Sequence, residues 1–255
     1  MSTMDKFRLD GQVAVITGGG RGIGRAIALG FAEAGADVVL AARRTEEIQS
    51  VADEVTALGQ RGLAITTDMM EMDQIENLAE ETVKQMGKLS IWVNNAGGAD
   101  DRTMRNLIDV PEYQWDFQAG LNLKAVWAGS IEAAKRMEEG SSIINISSIE
   151  AFNPSPTNGP YAAAKAGVHA LTKSLSKELA PKIRCNAIAP GPVPTEVFME
   201  ATGLKEEMLP MVAQQLQIPM GRLGLEEDMA PAAIYLASPA ANWVTGQVLT
   251  VSGGL

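Results

Sequence analysis

The sequence predicts a single α/β domain built on a seven-stranded, doubly wound parallel sheet with helices on both faces. Short apolar runs alternate with longer helical patterns from one end of the 255-residue chain to the other. The runs are apolar at successive positions, as expected of parallel strands covered on both sides. A glycine-rich turn joins the first run to the first helical stretch, the usual entry into a βαβ unit.

The first strand is expected over 12–17, where Val13-Ala14-Val15-Ile16 lead into Thr17-Gly18-Gly19-Gly20-Arg21-Gly22-Ile23-Gly24 and a helix over 23–34. Strands over 37–42, 62–67, 90–94 and 142–147 follow, separated by helices over 46–58, 72–86 and 111–138. A helix over 162–179 leads to a strand over 183–189. The stretch 192–220 is rich in Met, Pro and Gln and reads as a substrate-covering insertion within a single domain spanning 1–255. A last helix over 226–238 opens on Glu226-Glu227-Asp228, acids that suit the positive end of its dipole, and a strand over 247–251 closes the sheet. No internal repeat or linker marks a domain boundary.

Composition narrows the function classes. Hydrophobic residues make up 46% of the chain, enough for a substantial core. A net charge of −10 argues against a nucleic-acid partner and weakens the case for an acidic membrane surface or carrier protein. The single cysteine, Cys185, excludes an internal disulfide and fits a reducing compartment. The charged N-terminal segment has no apolar core of a secretory signal, and no run approaches a membrane span. A cytoplasmic protein without a metal site is the expectation.

In a doubly wound sheet the ligand crevice lies at the C-terminal ends of the strands, and there the polar signals gather. The glycine run presents backbone N–H groups where a pyrophosphate could sit, although such a turn also serves as an ordinary strand-to-helix connection. Ser148 ends the fifth strand, where a hydroxyl can bond a substrate oxygen or cap a turn. Tyr161 and Lys165 stand four apart on one helical face, so the ammonium can approach the phenol. The same spacing also fits a half-buried tyrosine beside a solvated lysine.

Together these motifs resemble the short-chain dehydrogenase/reductase family over nearly the whole chain. Thr17-Gly18-x-x-x-Gly22-x-Gly24, with Gly20, Arg21 and Ile23 inside it, is similar to the family's cofactor loop. Asn94-Asn95-Ala96-Gly97 is similar to its strand-end motif, and Ser148 with Tyr161-x-x-x-Lys165 to its catalytic set. Asn122 falls where the family carries a fourth catalytic residue, and Pro190-Gly191-Pro192-Val193-Pro194-Thr195 where a segment contacts nicotinamide. Ala164 and Ser252 depart from the commonest pattern, which has Ser and Asp there, and neither belongs to the acid–base set. Within the family, Phe7-Arg8-Leu9-Asp10-Gly11, Asn94-Asn95-Ala96-Gly97-Gly98 and 238–244 together are similar to bacterial hydroxysteroid dehydrogenases and nearly as much to 3-oxoacyl reductases.

The resemblance implies a Rossmann-type fold and hydride transfer between a nicotinamide and a ketone or secondary alcohol. Tyr161 would act as general acid or base, Ser148 would hold the substrate oxygen, and Lys165 would lower the Tyr161 pKa and bond the ribose. Asn122 would interrupt its helix and hold a water leading to Lys165. A homotetramer is implied too, pairing through the C-terminal strand and the helices over 111–138 and 162–179.

Where NAD-preferring members carry an acid at the end of the second strand, this chain has Ala42, followed by Arg43 and Arg44. With Arg21 these point to the 2′-phosphate of NADP(H), the alternative being solvated loop charges and an NAD-preferring enzyme. Asp68 and Met69 fall at the adenine edge. Val197, Phe198, Met199, Leu204, Met208, Leu209, Met211 and Val212 suit a bulky hydrophobic substrate or simply a packed lid. Almost no tail follows Gly253-Gly254, so no C-terminal substrate cover is expected. His169 reads as a packing or interface residue, and Cys185 as inert. A non-catalytic dinucleotide sensor on the same fold is the rival class, disfavoured by the complete set of Asn122, Ser148, Tyr161 and Lys165.

Overall fold

A computed structural model describes residues 2–98, 101, 103–196, 198–199 and 203–255. Seven parallel strands form one sheet: β1 (Val13–Thr17), β2 (Asp37–Ala42), β3 (Gly62–Thr66), β4 (Ile91–Asn94), β5 (Ser141–Ile146), β6 (Ile183–Pro190) and β7 (Val248–Val251). Their spatial order is β3-β2-β1-β4-β5-β6-β7. The order reverses between β1 and β4, so a crevice opens above the C-terminal ends of those two strands.

The two faces of the sheet divide the core. Ala14 and Ile16 of β1 join Ile27, Phe31 and Leu236 on one side, whereas Val13 and Val15 join Leu78, Trp92 and Met137 on the other. This alternation explains the unbroken apolar runs, since either parity of side chain is buried. α1 (Gly22–Glu33), α2 (Thr45–Ala57) and α8 (Ala230–Ala237) cover the first side. α3 (Met72–Met86), α5 (Ala125–Arg136) and α6 (Gly159–Glu178) cover the second. α4 (Glu112–Ala119) precedes α5, and α7 (Leu209–Gln215) follows β6.

Three elements differ from the sequence expectation. The helix expected over 111–138 is α4 and α5 joined by a π turn, Gly120–Lys124, so its bounds differ while the interruption implied at Asn122 is present. The last helix begins as a 3-10 turn, Glu226–Met229, because the Asp228 carboxylate accepts the Leu225 N–H at 2.7 Å. α6 starts at Gly159 rather than 162, with Pro160 in its first turn, where a missing N–H costs nothing.

A buried polar chain crosses under the crevice. The Trp92 indole donates to Asn94 Oδ1 at 2.7 Å, and Asn94 Nδ2 donates to Ser130 Oγ and Asn145 Oδ1. Asn145 Nδ2 continues to Thr172 Oγ1 at 2.9 Å, so β4, β5, α5 and α6 share one satisfied network. No helix among the described residues is long and apolar enough to cross a membrane.

Candidate active site

The glycine loop is built by close approach. Gly18 has φ +65°, and a Cβ there would lie 2.9 Å from Asn95 Nδ2. A Cβ on Gly24 would collide with the Gly18 carbonyl. Asn95 Nδ2 donates to the Thr17 and Gly18 carbonyls, and Thr17 Oγ1 accepts the Asn95 and Ala96 N–H groups at 3.0 Å. The loop and the end of β4 are thereby one rigid unit. No side chain caps the N-terminus of α1 and no acid stands in its first turn, so its leading N–H groups and positive dipole face the crevice. Uncapped donors under a cradle that excludes Cβ atoms fit a pyrophosphate.

One crevice of about 1170 Å³ gathers the expected residues. Gly18, Gly20, Arg21, Gly22, Ile23, Gly24, Arg43, Arg44, Asp68 and Met69 line its dinucleotide end. Asn95, Ala96, Gly97, Asn122, Ser148, Tyr161 and Lys165 line its middle, with Pro190, Gly191, Val193 and Thr195 on the β6 side. Two of the three arginines are already engaged: Arg21 pairs with Glu196 at 2.8 Å and Arg44 with Glu47 at 2.8 Å. Arg43 is exposed and has no side-chain partner among the described residues. The Asp68 carboxylate accepts the Met70 N–H at 2.9 Å, which fixes the turn beside Met69.

At the centre, Ser148 and Tyr161 line the crevice together, and the Ser148 hydroxyl pulls the Tyr161 pKa down. Ser148 Oγ also accepts the Glu150 N–H at 3.1 Å. Lys165 Nζ lies 5.5 Å from the centre of the Tyr161 ring and donates to the Ile146 carbonyl at 2.8 Å. The expected depression of the Tyr161 pKa is not met in the protein alone. Burial pushes Tyr161 up to about 12, against the pull of Ser148 and with help from the Glu150 charge. Burial also brings Lys165 down to about 8.

Asn122 is fully buried, with Nδ2 donating to the Gly98 carbonyl and to Gln118 Oε1. Its Oδ1 accepts the Gly98 N–H at 3.2 Å. The side chain therefore ties the π turn to the loop after β4. His169 packs its ring 4.6 Å from Phe152, with Nε2 buried and unpartnered. Burial pushes the Cys185 thiol up to about 12, in keeping with an inert position.

Several lining residues escaped the sequence reading: Gln118, Glu150, Asn153, Ser155, Asn158, Glu196 and Leu216. Of the apolar residues expected to cover substrate, Phe198 and Val212 reach the crevice, whereas Leu209 packs on Ala213, Ile218 and Leu223. Val197 lies outside the described residues. Leu255 also lines the crevice, a contribution that the sequence reading did not single out. It is carried there by Gly253, whose carbonyl accepts the Met220 N–H at 3.0 Å. The short range of a terminal residue in sequence gave no hint of this return.

Fold and crevice together define a dinucleotide-type oxidoreductase scaffold, and the chain belongs to the short-chain dehydrogenase/reductase family. A family model described as enoyl-(acyl carrier protein) reductase matches residues 18–255. The 7alpha-hydroxysteroid dehydrogenase of Escherichia coli is 38% identical over 259 residues, covering 100% of this chain and 98% of its own. The 3-oxoacyl-(acyl-carrier-protein) reductase of Thermotoga maritima is 36% identical over 255 residues, covering 98% and 99%. A crystallised 7alpha-hydroxysteroid dehydrogenase, complexed with NADH and 7-oxo glycochenodeoxycholic acid, superposes with a TM-score of 0.90 at 37% identity, covering 100% and 98%.

Proposed function

We propose that this oxidoreductase uses NADP(H) to interconvert a ketone and a secondary alcohol, with Tyr161 as general acid and base. The observation that carries the reading is the meeting of Ser148, Tyr161 and Lys165 with the glycine loop in a single crevice. Bound there, the dinucleotide supplies the hydride.

In reduction, Tyr161 gives its proton to the developing alkoxide while the Ser148 hydroxyl donates to the same oxygen. Ser148 is prepared for this role: its oxygen already accepts the Glu150 N–H, leaving its proton to donate outward. A phenol whose burial strengthens its hold on the proton parts with it only when an oxyanion forms beside it. Lys165 would leave the Ile146 carbonyl to hold the nicotinamide ribose, which brings a cation to the phenol and lowers its pKa during turnover. Since the Asn122 side chain is committed to Gly98 and Gln118, a water relaying protons to Lys165 would rest on the Asn122 backbone carbonyl.

NADP(H) is favoured because Ala42 offers no carboxylate to the adenosine ribose and Arg43 stands unpaired beside it. Arg21 would join by exchanging Glu196 for the 2′-phosphate. One observation supports an NAD-preferring reading: the Glu47 carboxylate lines the same end and could accept ribose hydroxyls. Comparing kcat/KM for NADPH and NADH on a panel of steroids, 3-oxoacyl thioesters and aryl ketones separates them. A preference of tenfold or more for NADPH is expected from about 1.4 kcal/mol of phosphate binding, and equal efficiency would sink the specificity.

Phe198, Val212, Leu216 and Leu255 give the substrate end an apolar wall, which suits a hydrophobic ketone under the 192–220 segment. Self-association as a homotetramer would cover the exposed Tyr113 and Trp115 of α4 and Trp127 of α5. Sedimentation velocity reads that state directly.

A further inference from the structure

We propose that Glu150 sets the charge preference of the substrate end, so that ketones bearing an ammonium or neutral group near the carbonyl are accepted over those bearing a carboxylate. The proposal rests on the oxidoreductase reading above and names the class of substrate within it.

Glu150 lies two residues beyond Ser148, on the short 3-10 turn Ile149–Ala151 between β5 and α6. It lines the crevice with Asn153, Ser155 and Asn158. The cationic side chains of the crevice sit elsewhere. Arg21, Arg43 and Arg44 surround the dinucleotide end, and Lys165 lies beneath the Tyr161 ring with its ammonium on the Ile146 carbonyl. Glu196, the acid beyond β6, stands 2.8 Å from Arg21 at the glycine-loop end of the crevice rather than beside the turn that follows Ser148. Among the described residues, Glu150 is thus the charged side chain of the crevice carried by the turn directly after Ser148, and no cation pairs with it.

Its charge is fixed in place without being cancelled. One carboxylate oxygen accepts the Ser155 N–H at 2.8 Å and the other accepts Ser155 Oγ at 2.5 Å. Both partners are neutral, so no cation offsets the side chain. The bonds to Ser155 explain where the side chain is held, and an amide of the same size could keep the backbone one. What only an acid supplies is a fixed negative potential in a partly enclosed crevice, where charge interactions outlast those in open water. The reach of that potential is visible at the reacting group, since Glu150 is one of the influences that raise the Tyr161 pKa.

The test uses the full chain with three matched probes: 4-methylacetophenone, 4-acetylbenzoate and 4-(aminomethyl)acetophenone. In the wild type, kcat/KM is expected to run aminomethyl, methyl, carboxylate, with about tenfold between steps for a charge pair held near a protein surface. Glu150→Gln should bring the three within about threefold of one another. Ser155→Ala, which removes a hydrogen bond and leaves the charge, should keep the wild-type order. The same probes titrated calorimetrically into NADP-loaded protein read the order without turnover. Ordered binding with no reduction of any ketone would defeat the functional reading and leave the charge preference standing. Reduction of the neutral ketone with equal use of carboxylate and ammonium probes, an order unchanged in Glu150→Gln, or calorimetry that resolves no charge order would overturn the proposal.

Discussion

At its dinucleotide end the crevice is built from backbone, and at its substrate end from side chains. The proposed dinucleotide end rests on Gly18 and Gly24, whose Cβ atoms would strike Asn95, Ala96 or the loop's own carbonyl, braced by Thr17 and Asn95, with Arg21, Arg43 and Arg44 around them. The proposed substrate end is lined by Glu150, Phe198, Val212, Leu216 and Leu255, drawn from four separate segments of the chain. A backbone site tolerates only the residues that leave its path open, whereas a side-chain site can change character by single substitutions. The difference lets one fold carry different sites, with the proposed catalytic residues at the seam between the two halves.

Mutations on either side should separate the halves. The largest effect falls at the seam: Ser148→Ala is expected to lower kcat/KM about a hundredfold through loss of an oxyanion donor, with dinucleotide affinity unchanged by fluorescence titration. A parallel loss of cofactor binding would mean that Ser148 supports the loop rather than the substrate. Gly24→Ala should do the reverse, weakening the dinucleotide at least tenfold and costing about 2 kcal/mol of stability, because its methyl would enter the Gly18 carbonyl. Unchanged melting and cofactor affinity would show that the loop has room to relax.

Arg43→Ala should cost about tenfold in NADPH affinity and leave NADH where it was, as expected for one charge-assisted contact. A loss shared by both cofactors would place Arg43 on a phosphate common to them. The smallest effect is a slope. Folded, Lys165 releases its proton near 8 rather than at the ordinary 10.5, so the unfolded chain holds more protons between those values and stability rises with pH there. The buried Cys185 and Tyr161 act in the opposite sense only above 9.0 and 10.0, where their unfolded forms ionise. From pH 8 to 9 the wild type should therefore gain on the order of 1 kcal/mol relative to Lys165→Met in denaturant titrations. Parallel curves would mean that the ammonium is better solvated than its burial implies.

Legibility followed the same division. Gly18, Gly22 and Gly24 could be placed from sequence because a strand, a turn and a helix start fix their relation locally, whereas Asn95 and Ala96, far away in sequence, were assigned through the resemblance to the family's strand-end motif. Tyr161 and Lys165 share a helix face, so their pairing needed no tertiary knowledge. Glu150 and Gln118 gave no signal, since an acid on a turn and a glutamine on a helix ordinarily face water. Leu255 was hidden for another reason: only the fold shows that Gly253 meets Met220 and returns the terminus to the crevice. The pairing of Arg21 with Glu196 was equally invisible, as it joins residues 175 positions apart. The π turn at Gly120–Lys124 leaves helical periodicity nearly intact and so read as one long helix.

The most direct measurement is NADPH oxidation with the ketone panel by wild type and Tyr161→Phe, with alcohol product quantified beside it. Stoichiometric alcohol formation by the wild type and a loss of about a thousandfold or more in the variant, with cofactor affinity retained, is the predicted result. Undiminished turnover in Tyr161→Phe would contradict the assignment of Tyr161 as the proton donor.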